Sequence, residues 1–111
     1  MYTRVTRITW PDGEKNEGMD EAIQAVRDQI MPFAQQLQGF KGFFGLSRHG
    51  EIILVSLWET EADLKASESG GYVECIKDKL SFLPHVQKTP LWLQDYEVFT
   101  SEVLSPSSAQ S

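Results

Sequence analysis

One stretch, residues 52–58, restricts the possible folds more than any other part of the chain. It reads IILVSLW, and its β-branched and apolar residues predict a strand. Neighbouring side chains of a strand point to opposite faces, so Ile53, Val55 and Leu57 share one face, and the other carries Ile52, Leu54 and Trp58. An antiparallel sheet with one face in water alternates apolar and polar residues. This strand therefore needs a packing partner on both faces.

The patterns on either side predict the order strand, helix, strand, strand, helix, strand. The first strand covers residues 2–10 and ends at Pro11-Asp12-Gly13, a turn sequence. Apolar residues then follow a helical stripe from Met19 to Leu37, and Pro32 is expected to kink this helix near its last two turns. Strands at residues 41–48 and 51–59 flank His49-Gly50, a spacing typical of a tight hairpin.

The second helical region begins at Thr60, whose hydroxyl is expected to cap it. Gly70-Gly71 should break the helix, which resumes along a stripe to Leu83 and stops at Pro84. The last strand is predicted at residues 91–99. This order predicts an α+β, ferredoxin-like βαββαβ fold, with a four-stranded antiparallel sheet and the helices on one face. Residues 1–100 form one domain, and 101–111 form a flexible polar tail.

Two helices cover only one face of such a sheet, so its other face needs a partner. The simplest partner is a second copy of the chain, and we predict a homodimer joined through the sheet face. The formal net charge of −6 argues against nucleic acid and anionic membranes as partners. The longest apolar run is far too short to span a bilayer. We therefore expect a cytoplasmic protein.

Three segments resemble the dimeric α+β barrel superfamily, and within it the antibiotic biosynthesis monooxygenase-like domains. They are Gly39-Phe40-Lys41-Gly42-Phe43, the hairpin His49-Gly50-Glu51, and the strand-to-helix junction VSLWETEADL at residues 55–64. The resemblance covers roughly residues 2–99. It implies a dimeric barrel and a monooxygenase that oxidises a small phenol- or hydroquinone-type substrate with O2, without flavin, metal or haem. Other members are small-lactone isomerases, and a non-catalytic, stress-related or ligand-binding dimer is a further interpretation.

The resemblance disfavours haem degradation. Haem-degrading members use an Asn on the first strand, a Trp on the second helix and a His one helical face later. The matching positions here look like Thr6 or Arg7, Ser67 and Lys77. Without the imidazole there is no axial ligand for iron.

The candidate catalytic residues are Tyr72, Arg7 and His85, selected by residue type and predicted position. An Arg in a sheet covered on both faces needs a carboxylate or an anionic ligand. The plainer interpretation pairs Arg7 with Asp95 or Glu97 of the last strand, and the plainer role of His85 is to complement a helix C-terminus. The predicted substrate pocket between sheet and helices uses Thr6, Trp10, Trp58 and Trp92, although aromatic side chains also serve as ordinary core.

Overall fold

The computed structural model describes residues 1–10, 17–88 and 91–102. The predicted turn at residues 11–13 and most of the predicted tail lie outside these ranges. The strands are β1 (Tyr2–Thr9), β2 (Phe40–Arg48), β3 (Glu51–Trp58) and β4 (Trp92–Glu97). The helices are α1 (Met19–Ala25), a π-helical segment (Val26–Ile30), α2 (Met31–Gln35), α3 (Glu61–Ser69), α4 (Tyr72–Lys79) and α5 (Pro84–Lys88).

The four strands form one antiparallel sheet in the order β2-β3-β1-β4. This order confirms the predicted α+β ferredoxin-like fold. In the register of the sheet, Arg4 of β1 lies opposite Ser56 of β3 and Asp95 of β4. The two central strands, β3 and β1, therefore each have a hydrogen-bonded neighbour on both sides. The side chains of β3 divide between the two faces of the sheet as the alternation in the sequence predicts.

The helices pack on the face of β3 that carries Ile52 and Leu54, and Ile30 of the π-helical segment and Ile76 of α4 are fully buried in the same core. The predicted placement of the helices on one face is confirmed. Burial of this apolar area provides the main stabilisation of the single layer of helices on the sheet.

The first helical region contains a widened, π-helical segment just before Pro32. The N–H of Met31 donates to the carbonyl of Val26, five residues back, and this π-type bond immediately precedes Pro32. Pro32 has no N–H to donate, and its ring crowds the carbonyl four residues earlier. The widened turn accommodates the ring, so the predicted local disturbance lies one turn earlier than the proline itself.

The predicted start at Thr60 and the break at the glycine pair hold, but α4 ends at Lys79 instead of continuing to Leu83. Thr60 Oγ1 accepts a hydrogen bond of 3.1 Å from the N–H of Asp63, and Gly71, at φ +93°, separates α3 from α4. Pro84 was expected only to end a helix, but it begins α5. A proline in the first helical turn has no hydrogen bond to lose, and its fixed φ suits the helix.

The other face of the sheet carries no helix, and we call it the open face. Its large apolar side chains include Phe44, Leu46, Trp92 and Tyr96, which are 48%, 53%, 43% and 49% exposed. They surround the half-buried residues 53, 55 and 57 of β3. Among the described residues, no helix is both long and apolar enough to cross a membrane.

Candidate active site between the sheet and the helices

The structure distributes the predicted site residues over three places. Thr6, Trp58 and Tyr72 lie in the helix-covered core, and each is completely buried. Trp10 and His85 contact each other, with ring centroids 4.9 Å apart. The remaining two predicted residues, Arg7 and Trp92, lie directly opposite each other on β1 and β4 and line a groove on the open face. The seven residues therefore do not form one site.

Tyr72 is positioned by the helix break and by an aromatic contact. It is the first residue of α4, directly after Gly71. Its ring meets that of Trp58 edge to face, with centroids 6.0 Å apart. Burial raises the pKa of Tyr72 to about 12, and the Ser56 hydroxyl and the Arg4 charge offset part of that rise. Tyr72 is therefore a neutral phenol near pH 7, able to donate a hydrogen bond but not to act as a base.

Ser56 interrupts the apolar pattern of β3 because it hydrogen-bonds within the core. Its Oγ accepts a hydrogen bond of 2.9 Å from the indole Nε1 of Trp58. Its backbone carbonyl accepts one of 2.8 Å from Thr3 Oγ1. Since buried polar groups need partners, Ser56 fixes the orientation of the Trp58 indole against Tyr72.

Arg4 supplies the positive charge of this region. It is 3% exposed, and its Nε and Nη2 donate to the two carboxylate oxygens of Asp95 at 2.7 and 2.9 Å. Glu68 of α3 forms a further ion pair with it. The pKa of Arg4 is raised, chiefly by the hydrogen bonds of Asp95. The guanidinium is therefore permanently charged and held in one orientation.

Three polar atoms in this region are buried without a hydrogen-bond partner among the described residues. They are Arg4 Nη1, Thr6 Oγ1 and the Tyr72 hydroxyl. Thr6 and Arg4 share the helix-covered face of β1, and Ser56 lies opposite Arg4. We call these four residues (Arg4, Thr6, Ser56 and Tyr72) the polar cluster. Leaving a buried hydrogen-bonding group unpaired costs about 1 to 3 kcal/mol, so such a group marks a place where a ligand atom would be stabilised.

A cavity of about 240 Å³, lined mostly by apolar residues, lies between the first helix and the sheet. Its lining includes Val26 and Arg27 of the π-helical segment, Phe43 and Gly45 of β2, and Leu54 of β3. A Cβ on Gly45 would meet only Val26, at 3.9 Å, so the glycine keeps this side of the cavity open. Helix widening and a glycine on the facing strand together create the space.

The cavity and the polar cluster share a boundary. Leu54, which lines the cavity, lies opposite Thr6 in the sheet, and Phe43 lies opposite Ser56. Leu54 is fully buried, whereas Phe43 is half-buried. Residues of the cavity lining and of the polar cluster are therefore direct neighbours in the sheet register.

The pairing suggested for Arg7 is wrong. Its Nε donates to Glu51 of β3, which also accepts from Arg48 Nε at 2.8 Å. The two guanidinium groups hold the pKa of Glu51 below its ordinary range. Alternation explains the difference, because Asp95 and Glu97 point to the helix-covered face and Arg7 points to the open face.

His85 is also placed differently from the expectation. It lies in the first turn of α5 instead of at a helix C-terminus, and its ring packs on Trp10. Burial lowers the pKa of His85, so the imidazole is mainly neutral at pH 7. Trp10 donates a hydrogen bond of 2.8 Å to the carbonyl of Glu17. These contacts hold the two side chains together, and neither residue belongs to the polar cluster.

Arg4 and Ser56 are the members of the cluster that the sequence reasoning did not select. Ser56 is the single polar residue in the apolar run at residues 52–58, and Arg4 alternates with Thr6 and Ile8 on one strand face. A polar residue inside an apolar pattern is the available signal. The partners of both residues depend on the strand register, which the pattern does not provide.

The fold is shared with solved structures of oxygenases. No protein-family model matches the chain, and no curated protein matches it. The cofactor-independent oxygenase SnoaB of Streptomyces nogalater superposes with a TM-score of 0.64 at 12% identity, over 90% of this chain and 94% of that one. A monooxygenase of Streptomyces coelicolor, solved with nanaomycin D, superposes with a TM-score of 0.64 at 12% identity, over 94% and 92% of the two chains.

A Nitrosomonas europaea protein of unknown function is similar to the same extent, with a TM-score of 0.67 at 13% identity over 94% of each chain. At these identities the comparison establishes the fold. The chain has the α+β fold of the antibiotic biosynthesis monooxygenase-like domains, which confirms the family-level fold that the three sequence segments implied.

Proposed function

We propose that the chain is a cofactor-independent monooxygenase that oxidises a small aromatic phenol- or hydroquinone-type substrate with O2. The observation that carries this proposal is the adjacency of an apolar cavity and three buried, unpaired hydrogen-bonding atoms. Sites for flat aromatic ligands are largely apolar and contain a few oriented polar groups. The oxygenases that share the fold add support.

The cluster suits stabilisation of a substrate oxyanion. An activated methylene flanked by aromatic rings loses a proton to bulk solvent before the substrate is enclosed, and the negative charge spreads onto a ring oxygen. Arg4 Nη1 and the protonated Tyr72 hydroxyl donate to that oxygen, in a site from which water is excluded. Half-buried Phe43 is the side chain that yields to admit the oxygen.

The electron-rich carbon then reacts with O2. The overall change converts the methylene group and one molecule of O2 into a ketone and one molecule of water. The carbon gives up the four electrons that O2 accepts, one oxygen atom becomes the ketone, and the other leaves as water with the two methylene hydrogens. In this scheme the side chains only stabilise the negative charge of the substrate and hold the substrate in position. The oxidant is O2 itself.

The same proposal includes a homodimer formed through the open face. The exposed Phe44 and Leu46 of β2 and Tyr96 of β4 flank the half-buried apolar residues of β3 on this face. An isolated soluble domain rarely leaves such a surface in water. A second copy is self-complementary by two-fold symmetry.

Aerobic incubation with anthrone, followed by quinone absorbance and O2 uptake, tests the activity. We expect turnover by the native protein, and a fall in kcat of about tenfold or more in Tyr72→Phe, because a donor to the oxyanion is lost. Gly45→Leu should block the cavity, whereas Gly45→Ala, which removes the same glycine but adds little volume, should retain most activity. Tyr96→Phe, on the open face, is the phenol control.

Absence of O2 uptake by folded protein would contradict the monooxygenase proposal. If anthrone then binds in a calorimeter and Gly45→Leu abolishes that binding, the cavity is a non-catalytic ligand site. Equal activity in Tyr72→Phe and Tyr96→Phe would show that the polar cluster takes no part in the mechanism. The cavity would then be the only part of the proposed site that remains supported.

A further inference from the structure

The cavity between the first helix and the sheet has a polar side that the oxygenase scheme does not use. Arg27 of the π-helical segment and Ser47 of β2 both line the cavity. Among the lining residues that the structure describes, only these two have polar side chains. Both are exposed, whereas Ile52 and Leu54 of the same lining are buried. The cavity therefore has an open side with two hydrogen-bond donors and a closed apolar side.

The charge of Arg27 is not neutralised within the described part of the chain. Its guanidinium forms no ion pair and no side-chain hydrogen bond among residues 1–10, 17–88 and 91–102. The carboxylate of the neighbouring Asp28 accepts instead from the amide of Gln24. No Asp or Glu is among the described lining residues, so the lining carries a charge of +1.

The proposed dimer would not cover this side of the cavity. Ser47 lies opposite Ile52 in the sheet, on the helix-covered face, and Arg27 belongs to the helical layer on that face. Two copies joined through the open face would meet on the other side of the sheet. Leu46 is the lining residue that belongs to the open face, and it takes no part in the contacts proposed below.

We propose that Arg27 makes the cavity selective for aromatic substrates that carry one carboxylate. The carboxylate would accept from the Arg27 guanidinium and from the Ser47 hydroxyl, and the rings would lie against the apolar lining. A guanidinium matches the planar, two-oxygen geometry of a carboxylate. One negative charge balances the charge of +1 on the lining. This inference rests on the proposed function, which assigns the reacting end of the substrate to the polar cluster.

The spacing along β2 suits a substrate with polar groups at opposite ends. Phe43 lies opposite Ser56 of the polar cluster, and Ser47 follows it on the same strand face. The four residues between these positions correspond to about 13 Å along an extended strand. An aromatic system of two or three fused rings, with a hydroxyl at one end and a carboxylate at the other, spans this length with a hydrogen bond at each end.

Calorimetric titration of the full chain with 6-hydroxy-2-naphthoate and with 2-naphthol tests the preference for a carboxylate. The two probes share the ring system and its hydroxyl, and only the first carries the carboxylate. We expect saturable binding of one hydroxynaphthoate per chain, at least about tenfold tighter than that of 2-naphthol, because a charged hydrogen bond adds to ring burial. Exclusion of O2 from the titrations keeps binding separate from turnover.

Four variants assign the preference to Arg27. Arg27→Gln should weaken hydroxynaphthoate binding about tenfold and leave 2-naphthol binding unchanged, and Arg27→Lys, which keeps the charge without the planar fork, should fall between Arg27→Gln and the native protein. Lys65→Gln removes one positive charge from the exposed face of α3 and is the charge-matched control, which should bind both probes as the native protein does. Gly45→Leu should abolish the binding of both probes, because it fills the cavity.

Equal affinity of the native protein for the two probes, or a carboxylate preference that persists in Arg27→Gln, would overturn the inference. Equal weakening of both probes in Arg27→Gln would also overturn it, because Arg27 would then only support the shape of the cavity. The oxygenase proposal fails separately. Anthrone oxidation by a protein without a carboxylate preference would leave the oxygenase proposal intact, whereas a carboxylate preference without O2 uptake would retain the ligand site and remove the oxygenase.

Discussion

Arg4 of β1 and Asp95 of β4 lie directly opposite each other, and two hydrogen bonds join them, from Nε at 2.7 Å and from Nη2 at 2.9 Å. Both residues point to the helix-covered face, where Glu68 of α3 also contacts Arg4. This single guanidinium thus links the last strand, the central strand and a helix. The buried charge stabilises that arrangement only while its partners are present.

Asp95→Asn should therefore destabilise the protein. Removing one partner of a fully buried ion pair costs about 3 to 5 kcal/mol. We expect about 1 to 3 kcal/mol here, because Asp95 is half-exposed and Glu68 remains. Urea unfolding measures the difference. Glu97→Gln, on the same strand and face but bonded only to the exposed Tyr2 hydroxyl, is the control and should change stability by less than about 0.5 kcal/mol. Similar losses in both variants would contradict a special role for Arg4.

The fold was predictable from the sequence because the decisive signals are local. Alternation in residues 52–58 assigns the two faces of β3, and Gly50 and Gly71 occupy left-handed conformations where turns were expected. The partner of Arg7 was not predictable to the same degree. It depends on which strand lies beside β1 and in what register, and these are set by packing of the whole sheet. Alternation alone would have excluded Asp95, had the register been known.

The candidate site was less predictable from the sequence than the fold. Tyr72 and Thr6 were selected by type and position, but Arg7, His85 and Trp92 lie elsewhere. The cavity depends on the π-helical segment before Pro32. A proline in a helical pattern predicts a disturbance, but whether the helix kinks or widens depends on the strand packed against it.

Ser56→Ala should cost more stability than its size suggests. It removes the acceptor of the Trp58 indole N–H and leaves that donor buried without a partner. The expected loss is about 1 to 3 kcal/mol. Ser67→Ala is the matched control, since Ser67 is equally buried but donates to the Leu64 carbonyl of its own helix, so its removal leaves no unpaired N–H. Chemical unfolding of both variants should show the smaller loss for Ser67→Ala, and the reverse order would contradict this account.

The proposed homodimer predicts a concentration-dependent mass. Leu46→Glu places a charge on the exposed apolar surface, where burying it against a second copy is unfavourable. Light scattering at micromolar concentrations should give the mass of two chains for the native protein and of one chain for Leu46→Glu. Gln35→Glu adds the same charge at an exposed position of α2 and should remain dimeric. A well-folded native monomer under these conditions would refute the dimer.

The buried phenol of Tyr72 predicts a loss of stability in alkaline solution. Burial raises its pKa from 10.0 to about 12. Below pH 10 the phenol is protonated in both the folded and the unfolded chain, so the folded state loses nothing. Between pH 10 and about 12 the unfolded chain releases the proton while the folded chain retains it. The free energy of unfolding should then fall by up to about 1.4 kcal/mol for each pH unit.

Urea unfolding of the native protein and of Tyr72→Phe, repeated from pH 8 to pH 11, measures this effect. The two should differ by less than about 1 kcal/mol near neutral pH, because the hydroxyl that is removed has no hydrogen-bond partner to lose. Above pH 10 the stability of Tyr72→Phe should decline less steeply than that of the native protein. Parallel declines in the two proteins would show that Tyr72 ionises as freely in the folded state as in the unfolded one, and it could not then serve as the neutral donor that the oxygenase scheme requires.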